Sequence, residues 1–170
     1  LQAGRLDRDG QPIELQSTDL SRLLERSIDR LSSFSSPVPV TINRDIQPEV
    51  MVMADQAALT RAVEAVLENS LKYHDGQRVD VTVELTKTDG KVKLTITDRG
   101  IGLSHDDCEA VFERFYRVGN ELTRRSTGTG LGLYLAREVI RAHNGTITAH
   151  SDGEGKGATF EITLPSGVHE

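Results

Sequence analysis

Two stretches of alternating apolar and polar residues lie close together near the middle of the chain. VDVTVEL (79–85) and KVKLTIT (91–97) each repeat with a period of two, and the segment between them, TKTDG, ends in an Asp-Gly pair. Asp-Gly is typical of tight hairpin turns, so the two stretches predict an antiparallel hairpin with one buried face. The predicted inward side chains are Val79, Val81, Val83, Leu85, Val92, Leu94 and Ile96.

Other segments repeat their apolar residues at helical spacing. STDLSRLLERSIDRLSSF (17–34) opens on capping residues, and QAALTRAVEAVLENSLKY (56–73) follows Asp55, a candidate N-cap. A third helix is predicted from about residue 130 to residue 143, and a short one, capped by Ser104, through DDCEAVFERFY (106–116).

Short β-type segments separate these helices. They are VPVTINRDI (38–46), EVMVMA (49–54), TITAHS (146–151) and ATFEITLP (158–165). Helices interleaved with hairpin-connected strands favour a mixed sheet that is covered by helices on one face.

Composition limits the possible functions. A length of 170 residues fits one domain, and a net charge of −6 argues against an extended nucleic-acid surface. The single cysteine, Cys108, forms no internal disulfide, and no Cys/His cluster has the spacing of a metal site, which favours a reducing compartment. No apolar run approaches the ~20 residues of a membrane span, and no signal peptide is visible. We therefore expect a monomeric, cytoplasmic chain. Because the sequence starts at Leu1 instead of Met, we interpret it as a fragment of a longer protein.

A glycine-rich stretch, STGTGLGL (126–133), precedes the third predicted helix. Backbone amides at Gly128, Gly130 and Gly132 can approach a ligand closely, and the unpaired amides of a helix start favour an anion such as phosphate. The alternative is a flexible loop before a loose helix start. The stretch is not a Walker A loop, since no Gly-Lys-Ser/Thr follows, and its third glycine comes one residue too early for a dinucleotide fingerprint.

Asp98 ends the strand KVKLTIT and opens the motif DRGIG, in which Gly100 and Gly102 allow a sharp turn. A carboxylate at this position can accept a hydrogen bond from an exocyclic amine. An ordinary Asp/Gly turn is the alternative interpretation.

The motif LENSLKYH (67–74) places Asn69, Lys72 and Tyr73 on the same helix face as Ala65. An amide oxygen can bind Mg²⁺, a lysine can contact phosphate, and a tyrosine ring can lie against a base. The alternative is an ordinary solvated helix end.

Taken in order, LENSLKY, DRGIG, VFERFYR and STGTGLGL resemble the N, G1, F and G2 boxes of the catalytic ATP-binding domain of sensor histidine kinases. The family belongs to a wider group of ATPases that includes gyrase B, Hsp90 and MutL. The resemblance implies the Bergerat fold, an α+β two-layer sandwich in which a mixed sheet of about five strands packs on three helices. It implies a polar linker at 1–18, a catalytic domain at 19–165 and a tail at 166–170.

The resemblance also implies roles at the nucleoside end of a bound ATP. Asp98 would accept a hydrogen bond from the adenine amino group, with Gly100 and Gly102 making room for the base. Tyr73 would pack near the adenine, and Thr159 would help to hold it through water.

At the phosphate end, the resemblance implies that Asn69 binds Mg²⁺ and that Lys72 contacts phosphate. The residues that would line the phosphates are Gly128, Gly130, Gly132 and Leu133. The cations of the lid region are Arg114, Arg117, Arg124 and Arg125, of which one or more would neutralise charge on the transferring phosphoryl group. For the aromatic residues Phe112, Phe115 and Tyr116, we expect core packing in preference to contact with the lid or a partner helix.

The sequence departs from the family pattern at Ala65, where these kinases commonly carry an earlier Asn and the hydrolysing relatives a Glu. The absence of that Glu fits a domain that holds ATP for transfer. We interpret all five histidines as surface or structural residues: His74, His105, His143, His150 and His169.

The predicted function is therefore to donate the γ-phosphoryl group of Mg-ATP to a His on a separate dimerisation and phosphoacceptor domain, with a response regulator downstream. We expect this chain to be cytoplasmic, and the resemblance leaves open whether the parent kinase is anchored in the inner membrane. The alternatives are an anti-sigma-factor-type serine kinase, a gyrase-like or chaperone-like ATPase, and a non-catalytic nucleotide-sensing module.

Overall fold

The structure, a computed structural model, describes residues 12–34, 36–118 and 128–167. Its helices are α1 (Leu20–Ser32), α2 (Gln56–Lys72), α3 (Asp107–Ala110) and α4 (Gly132–Ala142). Its strands are β1 (Gln16–Asp19), β2 (Val40–Ile46), β3 (Met51–Ala54), β4 (Val79–Thr88), β5 (Lys91–Asp98), β6 (Thr146–His150) and β7 (Ala158–Pro165).

The main sheet has five strands in the order β2-β4-β5-β7-β6, with β2 parallel to β4 and the other neighbours antiparallel. The predicted hairpin is confirmed: Thr88 pairs with Lys91 across a turn at Asp89 and Gly90, both of which have positive φ. The predicted inward side chains of β4 and β5 are all buried. The mixed sheet packed on helices is therefore confirmed.

A second, two-stranded sheet was not predicted. Strand β1 pairs antiparallel with β3, from Gln16 opposite Ala54 to Asp19 opposite Met51. Residues 16–18, which the sequence assigned to a linker, are therefore a strand that pairs with the rest of the fold. Asp19 ends this strand and also caps α1, because its carboxylate accepts a hydrogen bond from Arg22 N at 3.0 Å.

Helices α1, α2 and α4 pack on one face of the main sheet and supply the core together with it. Asp55 caps α2 as predicted, since its carboxylate accepts from Ala58 N at 3.0 Å. His143 lies buried at the end of α4, where Nε2 accepts a hydrogen bond from Asp55 N at 3.0 Å and Nδ1 lies 2.7 Å from Val139 O. This residue ties α4 to the start of α2, which confirms a structural role for that histidine.

The short helix α3 differs from its prediction. Ser104 Oγ accepts from Asp107 N at 3.2 Å, but the N-cap position is Asp106, whose side chain makes no capping hydrogen bond. The helix also ends at Ala110 instead of continuing to residue 116. The Phe115 backbone has φ +62°, and its N–H donates to Gly130 O at 2.9 Å. Directly after α3 the hydrogen bonds shorten to three residues, from Phe112 N to Glu109 O and from Glu113 N to Ala110 O. The Phe115 contact then joins this segment to the glycine stretch.

Among the described residues, no helix combines the length and the hydropathy that crossing a membrane requires. The sequence predicts a lid from about residue 104 to residue 129, and residues 119–127 of it lie outside the described part of the chain.

Candidate functional site

Two adjoining cavities lie where the end of α2, the end of β5 and the start of α4 meet. The inner cavity contains Asp98, and the outer cavity contains Lys72 and the glycines that precede α4. Residues common to the walls of both cavities are Asn69, Tyr73, Val111, Tyr116 and Leu133. The fold therefore brings the separate sequence motifs to one continuous site.

Asp98 provides the polar group of the inner cavity and is only 6% exposed. Its Oδ1 accepts hydrogen bonds from Gly100 N at 2.9 Å and Ala158 N at 3.2 Å. Burial raises the pKa of this carboxyl above its usual value, against the opposing effect of these two backbone N–H groups and the Ser70 hydroxyl. The strand end and the following turn thus hold a buried carboxylate in one orientation.

The glycines after Asp98 are required by backbone packing. A Cβ at Gly100 would lie 1.9 Å from Tyr73 O, and a Cβ at Gly102, where φ is +73°, would lie 2.1 Å from Gly153 O. Ile101 N donates to Tyr73 O at 3.2 Å, which joins the turn to the end of α2. The structure thus supplies a reason for both glycines that is independent of any bound base.

Sequence reasoning missed the residues that support this turn from behind. Ser151 Oγ accepts from Leu103 N at 3.0 Å and donates to Gly157 O at 2.6 Å. A Cβ at Gly157, where φ is +70°, would lie 2.0 Å from Asp98 O. The glycine before β7 was the available signal, because a glycine beside a strand often marks close approach of another backbone.

The structure corrects the assignment of Thr159. Along β7, Ala158 and Phe160 are buried and line the inner cavity, whereas Thr159 lies on the opposite face of the sheet. Its Oγ1 lies 3.2 Å from that of Thr97 on the neighbouring strand. Strand alternation therefore keeps the Thr159 hydroxyl away from the cavity that the sequence assigned it to.

Apolar side chains form the walls of the inner cavity. Phe160 projects from β7 and meets the buried Phe112 edge to face, with ring centroids 6.3 Å apart. Core packing is thus confirmed for Phe112, whereas Phe115 is 69% exposed and does not follow that prediction. The Tyr116 hydroxyl donates to the Asp107 carboxylate, which holds its ring beside both cavities.

The outer cavity is lined by the start of α4 and the glycines before it. The residues that the sequence placed at the phosphates all line it: Gly128, Gly130, Gly132 and Leu133. The N-cap residue of α4, Leu131, makes no side-chain capping hydrogen bond. First-turn amides of this 11-residue helix thus remain available to an anion at its positive end.

Lys72 reaches the same region from the end of α2. Its Nζ lies 2.7 Å from the position that a Cβ at Gly128 would occupy. Burial, together with the nearby Arg117, lowers the pKa of this ammonium group. Crowding of two cations in one place indicates a site that favours a negatively charged ligand.

The two lid arginines that the structure describes, both predicted to be catalytic, lie in different places. Arg117 lines the inner cavity, whereas Arg114 is exposed and is absent from the described walls of both cavities. The Arg114 guanidinium stacks on the Tyr134 ring at 4.7 Å and donates to its hydroxyl at 3.0 Å. The structure therefore does not bring Arg114 to the site. Residues 124 and 125, the other two predicted lid cations, lie outside the described residues.

Acidic and amide groups near the outer cavity are few. In residues 12–34, 36–118 and 128–167, no three His, Cys, Asp or Glu side chains gather as a metal site. Asn69 and Glu68 both line the outer cavity, one residue apart on α2. Such a pair suits Mg²⁺ that is held mainly by phosphate and water, with one or two oxygen ligands from the protein.

Comparison with known families and proteins identifies the family of the chain. Residues 54–168 match the family described as histidine kinase-, DNA gyrase B- and HSP90-like ATPase. The sensor histidine kinase WalK of Bacillus subtilis is 33% identical over 97% of this chain and 27% of its own length. WalK of Staphylococcus aureus is 34% identical over 100% of this chain and 41% of its own length. The chain thus spans less than half the length of these relatives.

Solved structures of histidine kinase domains share the fold of this chain. The mycobacterial sensor histidine kinase MprB aligns with a TM-score of 0.74 at 28% identity, over 91% of this chain and 99% of the other. The ATP-binding domain of PrrB from Mycobacterium tuberculosis aligns with a TM-score of 0.68 at 22% identity, over 91% and 99%, which shows the shared fold. The match over most of the chain, with the motifs meeting at one site, places this protein in the histidine kinase-, DNA gyrase B- and HSP90-like ATPase family.

Proposed function

We propose that this chain binds Mg-ATP and donates its γ-phosphoryl group to a histidine on a separate dimerisation domain, as part of a sensor histidine kinase in two-component signalling. One observation carries the proposal. A buried carboxylate, Asp98, lies at one end of a continuous site, and the other end combines the uncapped start of α4 with Lys72. An adenine nucleotide has the matching order, an amine donor followed by anionic phosphates.

At the inner end, Asp98 accepts from the exocyclic amine, because Oδ1 is already engaged by two backbone N–H groups and fixes the carboxylate plane. Phe160, Ile101 and Leu133 surround the purine with apolar surface. The base is thereby oriented by one polar contact within an apolar pocket.

At the outer end, amides at the start of α4 and the Lys72 ammonium receive the phosphates. Asn69 lies between the two ends and lines both cavities. Its amide oxygen is suited to hold Mg²⁺ together with phosphate oxygens, and the metal supplies charge neutralisation when bound.

Transfer requires an acceptor in line with the γ-phosphoryl group. In the described chain, none of the four histidines, His74, His105, His143 and His150, lines either cavity. The acceptor imidazole comes from the dimerisation domain: its nitrogen forms the new bond to phosphorus while the bond to ADP breaks. Lys72 and Arg117 stabilise the charge on the phosphates, and a response regulator receives the phosphoryl group afterwards.

Titration calorimetry with ADP and GDP in the presence of Mg²⁺ tests the binding part. We expect binding of ADP in preference to GDP, and loss of that preference in Asp98→Asn, because an amide no longer offers a fixed anionic acceptor. Thr159→Ala is the matched control, since that side chain lies on the other face of the sheet. Equal affinity of Asp98→Asn and the wild type for ADP would contradict the proposal.

Labelled ATP tests the transfer part. We expect the chain to label a separately supplied dimerisation hairpin from its parent kinase, and to label neither itself nor a serine substrate. Labelling of serine in place of histidine would favour the anti-sigma-factor-type kinase.

A second candidate, a nucleotide-sensing module without transfer, is favoured by Ala65. Its side chain lines the outer cavity and offers no metal ligand there. Tight nucleotide binding without labelling of any histidine would support this candidate.

A further inference from the structure

A groove with apolar walls, here called the α1–α2 groove, lies where the end of α1, the start of β2 and the end of α2 meet. Its described apolar residues are Leu31, Phe34, Pro37, Val40 and Leu71, and its polar ones are Ser32, Ser36, Glu68, Lys72 and His74. None of these apolar residues lines the inner or the outer cavity. The nucleotide site therefore leaves the groove without a role.

Two side chains of the α1–α2 groove are large, apolar and exposed. Phe34 is 63% exposed, and Val40 is 38% exposed. Of the exposed large apolar side chains in the described residues, these two share one groove, whereas Met53 and Phe115 lie outside it. Apolar surface gathered in one place on a folded domain is typical of an interaction site, unlike single exposed side chains.

Backbone hydrogen bonds fix both side chains to the fold. Phe34 N donates to Leu31 O at 3.2 Å, directly after α1. Val40 begins β2 and pairs with Val79, whose N–H donates to Pro39 O at 2.9 Å. The apolar walls of the groove are thus built by a helix end and a strand start.

One row of side chains on α2 separates the groove from the phosphate end of the site. Glu68 and Lys72, one turn apart on the same helix face, line both the groove and the outer cavity. Leu71 lines the groove, and Asn69 lines the cavity. A molecule in the groove would therefore lie beside the phosphates of a bound nucleotide.

The size of the groove favours a transient partner over a second copy of the chain. Ten described residues line it, whereas a stable protein interface uses about 20–30 residues on each side. Apolar walls with Glu68 and Lys72 on the rim match an amphipathic helix, which places apolar anchors in such a groove and charged side chains along its edge. A small contact of this kind suits a domain that must approach the phosphates, accept a group and leave.

We propose that the α1–α2 groove docks the helix of the dimerisation domain that carries the acceptor histidine. Apolar side chains of that helix enter the groove beside Phe34 and Val40, and its histidine faces the phosphates across the row formed by Glu68 and Lys72. This inference rests on the proposed function, because it names the surface by which that function recruits its acceptor.

Labelling of the parent kinase's dimerisation hairpin, measured at increasing hairpin concentration, tests the groove. Phe34→Ser should raise the KM for the hairpin by about 10-fold and leave kcat and the ADP affinity unchanged, because an aromatic anchor acts on docking and not on the phosphates. Val40→Thr, which keeps a β-branched residue in β2, should raise the KM by about threefold. Met53→Ser is the matched control: this side chain is 44% exposed on β3, away from the groove, and its loss should change none of these quantities.

A hairpin whose acceptor histidine is replaced by alanine tests docking without chemistry. We expect its addition to shift the amide resonances of Phe34, Val40 and Leu71 and to leave that of Met53 unchanged. Unchanged resonances in the groove, or an unchanged KM in Phe34→Ser, would overturn the proposal. A raised KM in Phe115→Ser with none in Phe34→Ser would also overturn it, since docking would then occur beside the glycine stretch.

Sedimentation of the chain alone tests the other occupant of the groove. We expect a monomer for the wild type and for Phe34→Ser. A wild-type dimer that Phe34→Ser dissociates would show that a second copy fills the groove, and it would overturn the proposal. A wild-type chain that labels no hairpin would instead overturn the proposed function, and the resonance measurement would still decide whether the hairpin occupies the groove.

Discussion

The two glycine motifs of the site contain the same residue type for different physical reasons. After β5, a Cβ at Gly100 or Gly102 would lie within 2.1 Å of a backbone oxygen of another segment. In the second motif, Gly130 is also required by packing, since its φ is +71° and a Cβ there would lie 2.7 Å from Phe115 C. Gly128 and Gly132 differ: among the described residues, a Cβ at Gly132 would meet the Ala65 Cβ at 3.8 Å, and one at Gly128 would meet the Lys72 Nζ. The first motif is glycine-rich because the protein packs against it, whereas Gly128 and Gly132 of the second leave space where a ligand can approach.

The largest expected effect follows from the first motif. Gly100→Ala should destabilise the fold by about 2–4 kcal/mol, since its Cβ would overlap the Tyr73 carbonyl and force the turn away from α2. Urea unfolding measures the change. Gly76→Ala is the control: that residue has φ +88° with nothing within 4 Å, so it reports backbone strain alone, about 1 kcal/mol. Equal effects of the two substitutions would contradict the packing explanation.

The next effect concerns the cation at the second motif. Lys72→Met should weaken ATP binding by about 10-fold or more while adenosine binding stays nearly constant, because the ammonium group acts on the phosphates. Calorimetry with both ligands measures the difference. Lys93→Met, on the opposite side of the sheet and paired with Glu161, is the control and should change neither affinity. A similar loss of adenosine affinity would contradict the assignment of Lys72 to the phosphates.

Asp98 allows a pH-dependent test of the buried end. The pKa of Asp98 is raised in the folded protein, so the folded state binds the proton more tightly than the unfolded state. The free energy of unfolding therefore falls as the pH rises from the unfolded-state pKa through the folded-state pKa. Asp98→Asn should therefore be more stable than the wild type at neutral pH, because the amide carries no charge that burial would penalise. The gap should narrow as the pH falls through the Asp98 pKa. Urea titrations at several pH values measure it, and a constant gap would argue against burial as the cause.

The smallest expected effect has the opposite sign from that of Gly100→Ala. Gly132→Ala should stabilise the fold by about 0.5–1 kcal/mol, because the site is the first residue of α4 and a Cβ fits there in ordinary contact. The same methyl group projects toward the outer cavity, so the affinity for ATP should fall. Thermal unfolding and calorimetry on one variant check both statements. Lower stability of Gly132→Ala would contradict the conclusion that packing requires glycine at Gly100 but not at Gly132.

Much of the fold could be predicted because its signals are local. The alternation in β4 and β5, the Asp-Gly turn and the capping role of Asp55 each depend on residues a few positions apart. The predicted length of helix α3 was wrong and strand β1 was not predicted, because both depend on residues far apart in the chain. The segment after α3 is joined to the distant glycine stretch by a hydrogen bond from Phe115 N to Gly130 O, and β1 pairs with β3, which lies far along the chain.

The amino-acid sequence by itself determined the local elements, the four motifs and their chemical types, because periodicity, caps and glycine spacing are properties of neighbouring residues. Tertiary structure alone decided which side chains reach the site. It turned Thr159 to the other face of the sheet and held Arg114 on Tyr134. Those outcomes depend on strand register, on contacts distant in the chain and on burial, which no short segment encodes.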